Sequence, residues 1–114
     1  MVLVVGGAFQ GKKEYVKKNY NQEYALIDHY HLTVRQQMIE GKDPLKEAVS
    51  LVKKNAGRKL IVICDEVGCG VVPMEAFERR YREMVGRICC YFAGEASEVI
   101  RVVAGIGTRI KAEE

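Results

Sequence analysis

No apolar run in the sequence approaches the roughly 20 residues that a membrane-spanning helix requires; the longest, such as residues 60–64, are a quarter of that. No membrane partner is therefore expected. The opening Met1-Val2-Leu3-Val4-Val5 lacks the basic residues that begin a secretory signal, which leaves the cytoplasm as the expected compartment. Cys64, Cys69, Cys89 and Cys90 form no C-x-x-C pair, and the adjacent Cys89 and Cys90 could bridge only with strain, so the thiols read as reduced and partly buried. Internal repeats, low-complexity tracts and Pro/Gly/Ser linkers are also absent. Charge of one sign is scarce: 18 Lys and Arg against 15 Asp and Glu leave a net +3, scattered along the chain. That excess is small for a nucleic-acid binder, so no nucleic-acid partner is expected, and phosphate-bearing small molecules suit it better.

What remains is a 114-residue chain, 48% hydrophobic, long enough for one core and too short for two ordinary domains. One domain over residues 1–114 is expected, with Lys111-Ala112-Glu113-Glu114 as a solvated end. Strands and helices alternate. Residues 2–5 are β-rich and lead through glycines into a polar helical stretch ending near Tyr20; residues 24–27 make a second strand. A helical turn or two is expected over residues 32–39, broken by Gly41, followed by Asp43-Pro44 as the cap and first residue of a helix that stops by Gly57. Residues 60–64 are apolar at every position, as a parallel strand covered on both faces must be. Phe77, Tyr81, Met84, Val85, Ile88 and Phe92 recur at three- and four-residue spacing and describe the stripe of a long amphipathic helix starting at Met74. Residues 99–104 and 108–111 give two last strands, with Gly105-Ile106-Gly107 as the turn. The fold class read from this order is α/β, a three-layer sandwich around a mostly parallel central sheet.

Between the first strand and first helix, Gly6-Gly7-Ala8-Phe9-Gln10-Gly11-Lys12-Lys13 fits G-x-x-x-x-G-K, the phosphate-binding loop of P-loop nucleotide-binding proteins. Its glycines let successive N–H groups curl around a phosphate at a helix N-terminus, and Lys12 is placed to reach the outer phosphates. Lys13 stands where the pattern wants Ser or Thr, and an ammonium cannot coordinate Mg²⁺ as a hydroxyl does. Asp28 ends the second strand and Asp65-Glu66 the third, where open α/β sheets carry ligand-binding groups. Asp28 and Asp65 are the candidate magnesium ligands. Lys12, Asp28 and Glu66 are the candidate catalytic residues, against the plainer reading of each carboxylate as a helix cap or solvated turn.

Further along, Glu66-Val67-Gly68-Cys69-Gly70-Val71-Val72-Pro73 resembles the E-V-G-x-G-[IV]-V-P element of the adenosylcobinamide kinase/adenosylcobinamide-phosphate guanylyltransferase family. The likeness continues through Arg79, Tyr81, Arg82, Glu83, Gly86-Arg87, Ala96, Glu98-Val99, residues 102–107 and Ile110-Lys111, while Ile27-Asp28-His29-Tyr30-His31-Leu32-Thr33-Val34 resembles the family's D-C-L-T-L strand end. It covers more than half of the chain. The resemblance implies ATP or GTP with Mg²⁺ as ligands, a corrinoid (adenosylcobinamide) as acceptor, Gly68 and Arg87 as added nucleotide contacts, and a homo-oligomer, in the family a trimer.

The departures point the other way. Cys89-Cys90 replace an Asn and a Gln of the family pattern, and the family's insertion between first helix and D-C-L-T strand, which bears the histidine that accepts GMP, is reduced here to residues 21–24 or so. The two histidines, His29 and His31, fall elsewhere and read as hydrogen-bonded structural residues rather than as that nucleophile. The function expected is therefore nucleotide binding with at most kinase activity and with guanylyl transfer lost; the alternative is an inactive nucleotide-binding or interaction homologue.

Overall fold

The two innermost strands, residues 2–6 and 60–65, are buried on both faces, and their residues alternate between two cores. In the computed structural model, which describes residues 1–67 and 75–112, β1 (Val2–Gly6) lies between β3 (Leu60–Asp65) and β4 (Glu98–Val103) and runs parallel to both. A short β2 (Ala25–Ile27) joins β3 in parallel, and β5 (Ile106–Ala112) folds back antiparallel on β4, giving the order β2-β3-β1-β4-β5. The mostly parallel α/β sheet expected from the sequence is thus present.

Leu3, Val5, Leu60, Val62, Cys64 and Val99 point to one side, where they meet α2 (Tyr30–Ile39), α3 (Pro44–Lys54) and α4 (Ala76–Glu95). Tyr81, Val85, Ile88 and Phe92 are the buried members of the α4 stripe, and Phe92 meets Tyr30 edge to face at 5.0 Å. Val2, Val4, Ile61, Ile63, Ile100 and Val102 point to the other side and receive Val16 of α1 (Lys12–Asn19). Among the described residues, three helices cover one face of the sheet and one short helix covers the other.

Asp43 caps α3 by accepting the N–H groups of Leu45 and Lys46 at 3.1 and 3.3 Å, with Pro44 at the first helical position as expected. The α2 helix begins at Tyr30, two residues earlier than the sequence pattern suggested, because His29 in a left-handed conformation (φ 52°) turns the chain directly off the end of β2. Arg35 fixes that helix to α4 by a forked ion pair with Glu78, at 2.5 and 3.1 Å, while its guanidinium stacks over Phe77 and Tyr81. The last turn also differs from expectation. Ala104 and Gly105, both with positive φ, make the two-residue hairpin turn, so β5 already begins at Ile106. The expected start of the long helix at Met74, and the Pro73 before it, lie outside the described residues.

Candidate functional site

At the carboxyl ends of β1 and β3, the strand-to-helix loop bends so sharply that Gly11 takes φ 85°, and a side chain there would also crowd the Cα of Gly105 at 3.3 Å. Gln10 fastens this loop to the hairpin turn: its carbonyl accepts the Gly105 N–H at 2.8 Å and its side-chain oxygen accepts the Ala104 N–H at 2.7 Å. Lys12, the first residue of α1, is 7% exposed; its Nζ donates to the Gly7 carbonyl at 2.7 Å and pairs with Asp65 Oδ1 at 2.6 Å. A buried ammonium needs such partners, since desolvating it unpaired would be costly. Lys12 and the carboxylate ending β3 therefore face each other.

His31, in the first turn of α2, completes the cluster. Its Nδ1 accepts the Asp65 N–H at 3.1 Å, which leaves the ring proton on Nε2, 3.4 Å from Asp65 Oδ2. Tyr81 of α4 holds the backbone from behind by donating its hydroxyl to the His31 carbonyl at 2.9 Å. Burial pushes the His31 imidazole below its ordinary pKa, and Asp65 only partly offsets this. On the opposite flank Asp28 receives the His29 N–H at 2.8 Å and lies 3.9 Å from Lys13 Nζ. Residues 8–14, Asp28, His29, His31, Leu32, Ile63 and Asp65 together line a cleft of about 420 Å³. Two lysines, two histidines and three carboxylates thus meet at the loop, a mixture of cations and carboxylates that suits a polyphosphate carrying a metal ion.

A family model described as cobinamide kinase / cobinamide phosphate guanyltransferase matches residues 8–110. The chain belongs to this family. Two relatives, each a bifunctional adenosylcobalamin biosynthesis protein CobU, one from Escherichia coli (strain K12) and one from Salmonella typhimurium (strain LT2), are 42% identical to it over 53 residues. Those residues are 46% of this chain and 29% of each relative, so the match spans less than a third of the relatives' length.

Against the sites expected for a cobinamide kinase/guanyltransferase family member, the cleft gathers Ala8, Phe9, Gln10, Gly11, Lys12, Lys13, Asp28 and Asp65, with Gly7 reaching Lys12 through its carbonyl and Gly6 closing β1. Glu66 does not line it. The Glu66 N–H donates to the Gly6 carbonyl at 2.8 Å, but its carboxylate turns to Arg101 of β4, 3.0 Å from Nε and 3.1 Å from a terminal nitrogen. Arg87 is likewise elsewhere, on the outer face of α4, paired at 2.7 Å with Glu83 one turn before it. The spacing that makes Glu83 and Arg87 neighbours on a helix surface explains this placement. Gly68 lies outside the described residues. Among the described residues no three His, Cys, Asp or Glu gather into a metal-binding group, and no helix is long and apolar enough to cross a membrane.

His31 is hydrogen-bonded as expected of a structural histidine, and what the sequence did not show is its place inside the cleft against Asp65. A pH effect follows from its burial. The imidazole is neutral in both folded and unfolded chains well above its ordinary pKa of 6.5. As pH falls through that value the unfolded chain takes up a proton that the folded site resists, so stability drops towards acid. In His31→Asn, whose amide oxygen can still accept the Asp65 N–H, the fall of Tm between about pH 7 and about pH 5 should be shallower than in the wild type. Equal slopes in thermal melts would contradict the assignment.

Proposed function

We propose that the chain binds ATP or GTP on its phosphate loop and acts in cobalamin biosynthesis as a cobinamide kinase-type phosphotransferase, in the cytoplasm, without the guanylyl-transfer step. The observation that carries this reading is the pairing of Lys12 with Asp65 inside the cleft. An incoming phosphate competes with Asp65 for the Lys12 ammonium, while the loop amides from Ala8 onward supply fixed donors to the same anion. Release of Lys12 leaves Asp65 oriented by His31, with a free oxygen to accept a hydroxyl proton.

The donor set suits a magnesium ion that arrives on the phosphates, since Mg²⁺ is commonly held by one or two carboxylates plus substrate oxygens, and Asp28 and Asp65 are both within the cleft. Asp65 and Asp28 would hold it, and bound there it would neutralise charge on the transferring phosphoryl group. Lys13 occupies the place of the usual hydroxyl ligand and faces Asp28, which weakens the protein's own hold on a metal. That contact favours the second reading, a nucleotide-binding homologue that has given up catalysis. The corrinoid acceptor rests on family membership alone.

Titration calorimetry with ATP and with GTP should show Lys12→Ala binding at least tenfold more weakly, since charge-assisted contacts to phosphate are worth roughly 1.5–3 kcal/mol. Unchanged affinity would remove the phosphate-loop reading. In the same titrations Lys13→Ser should make binding more dependent on Mg²⁺, because it restores a hydroxyl ligand and removes a competing charge.

No covalent guanylyl intermediate is expected. A nucleophile must sit within about 3–3.5 Å of the phosphorus it attacks; Nδ1 of His31 is occupied by the Asp65 N–H, and His29 belongs to a different element from the family's accepting histidine. Incubation with GTP and intact-mass measurement should show no added GMP, whereas an adduct lost in His29→Ala would restore the bifunctional activity. We also propose a homo-oligomer, on the model of a family trimer, because Val103, Ile106 and Ile110 expose apolar surface together on the β4–β5 hairpin. Sedimentation velocity showing a monomer at all concentrations would rule this out.

A further inference from the structure

Away from the cleft, two thiols meet where α4 packs on the sheet. Cys64 is buried near the end of β3, Cys89 is partly buried on α4, and their sulfurs stand 3.6 Å apart with neither in a disulfide. A disulfide requires about 2.05 Å between sulfurs, an approach of roughly 1.5 Å. The two side chains already point at each other across one helix–strand contact, and Cys89 is the member that solvent can reach.

We propose that Cys64 and Cys89 are a reversible redox modification site, oxidised by hydroperoxides to an internal disulfide, with Cys89 the attacking and Cys64 the resolving thiol. The roles follow from accessibility: Cys89 is the partly exposed thiol that a peroxide reaches first, and the buried Cys64 stands behind it to resolve the oxidised sulfur. In the first step the Cys89 sulfur attacks one peroxide oxygen. An S–O bond forms, the O–O bond breaks, and the departing oxygen takes the Cys89 proton and leaves as water from hydrogen peroxide or as an alcohol from an organic hydroperoxide. In the second step the Cys64 sulfur attacks the Cys89 sulfenic acid, so that an S–S bond forms, the S–O bond breaks, and the hydroxyl leaves with the Cys64 proton as water. Two electrons pass from the sulfurs to the peroxide.

The position gives the modification somewhere to act. Cys64 precedes Asp65, and its sulfur lies 3.6 Å from the Asp65 carbonyl, so a covalent bond would tie to α4 the strand end that carries the partner of Lys12. The site needs no nucleotide, and its test is separate from that of the phosphate-loop reading.

The full-length protein, reduced and then treated with hydrogen peroxide, should lose about 2 Da, the mass of two hydrogens, together with two alkylatable thiols, and recover both with dithiothreitol. Cleavage before Asp65 separates Cys64 from Cys69, and fragmentation of the linked peptides should place the bridge between Cys64 and Cys89. Cys89→Ser should abolish the loss, while Cys69→Ser and Cys90→Ser should retain it. Peptide mapping of the wild type decides the matter even where a Cys64 variant fails to fold. Stepwise oxygen addition without a link, or a bridge that joins another pair, would overturn the proposal.

Discussion

A lysine that is 7% exposed cannot be held in a folded chain without an anion or carbonyls around it, and the arrangement at the end of the sheet answers to that need. Asp65 is brought opposite Lys12 only because β3 lies in register beside β1, with Gly6 across from Asp65. His31 fixes Asp65, Tyr81 fixes His31, and the Arg35–Glu78 fork binds their two helices together. Removing either member of the Lys12–Asp65 pair would leave a largely buried charge without its ionic partner at the point where sheet, loop and α2 converge.

The two faces of the sheet differ in how much they can lose. Among the described residues, three helices cover the side where Phe92, Tyr30 and Ile88 pack, while one eight-residue helix covers the other. The phosphate loop belongs to the thinly covered side, since it feeds α1 directly. Its stability therefore comes less from apolar burial than from polar ties, namely the Gln10 hydrogen bonds to the hairpin and the Lys12 contacts to Gly7 and Asp65. Such an area is the expected one to respond to an anion, because the bonds that order it are of the kind an anion exchanges.

Much of this was legible in the sequence. Uninterrupted apolar residues at 60–64 marked the central strand, the spacing from Phe77 to Phe92 marked α4, and G-x-x-x-x-G-K between a strand and a helix located the cleft. Each of these signals is periodic or local, so it survives without knowledge of neighbours. What escaped depends on contacts between distant elements. Nothing in the spacing tells that Glu66 turns to Arg101, that His31 sits against Asp65, or that Gln10 reaches Ala104, since those are separated by 35, 34 and 94 positions and are chosen by rotamer and packing. Arg87 shows the converse. A motif match suggested a ligand contact, but the helical spacing to Glu83, visible in the same string, gives its actual partner.

The hairpin between β4 and β5 has a consequence for how tightly the loop can hold an anion. A free glycine-rich segment must be ordered when its ligand arrives, and that ordering subtracts from affinity. Here the hydrogen bonds from Ala104 and Gly105 to Gln10 order the middle of the loop during folding. An anion arriving at a loop so ordered would find the conformational entropy already lost in folding. The Ala104-Gly105 turn is in that sense part of what fixes the shape of the loop before any ligand arrives.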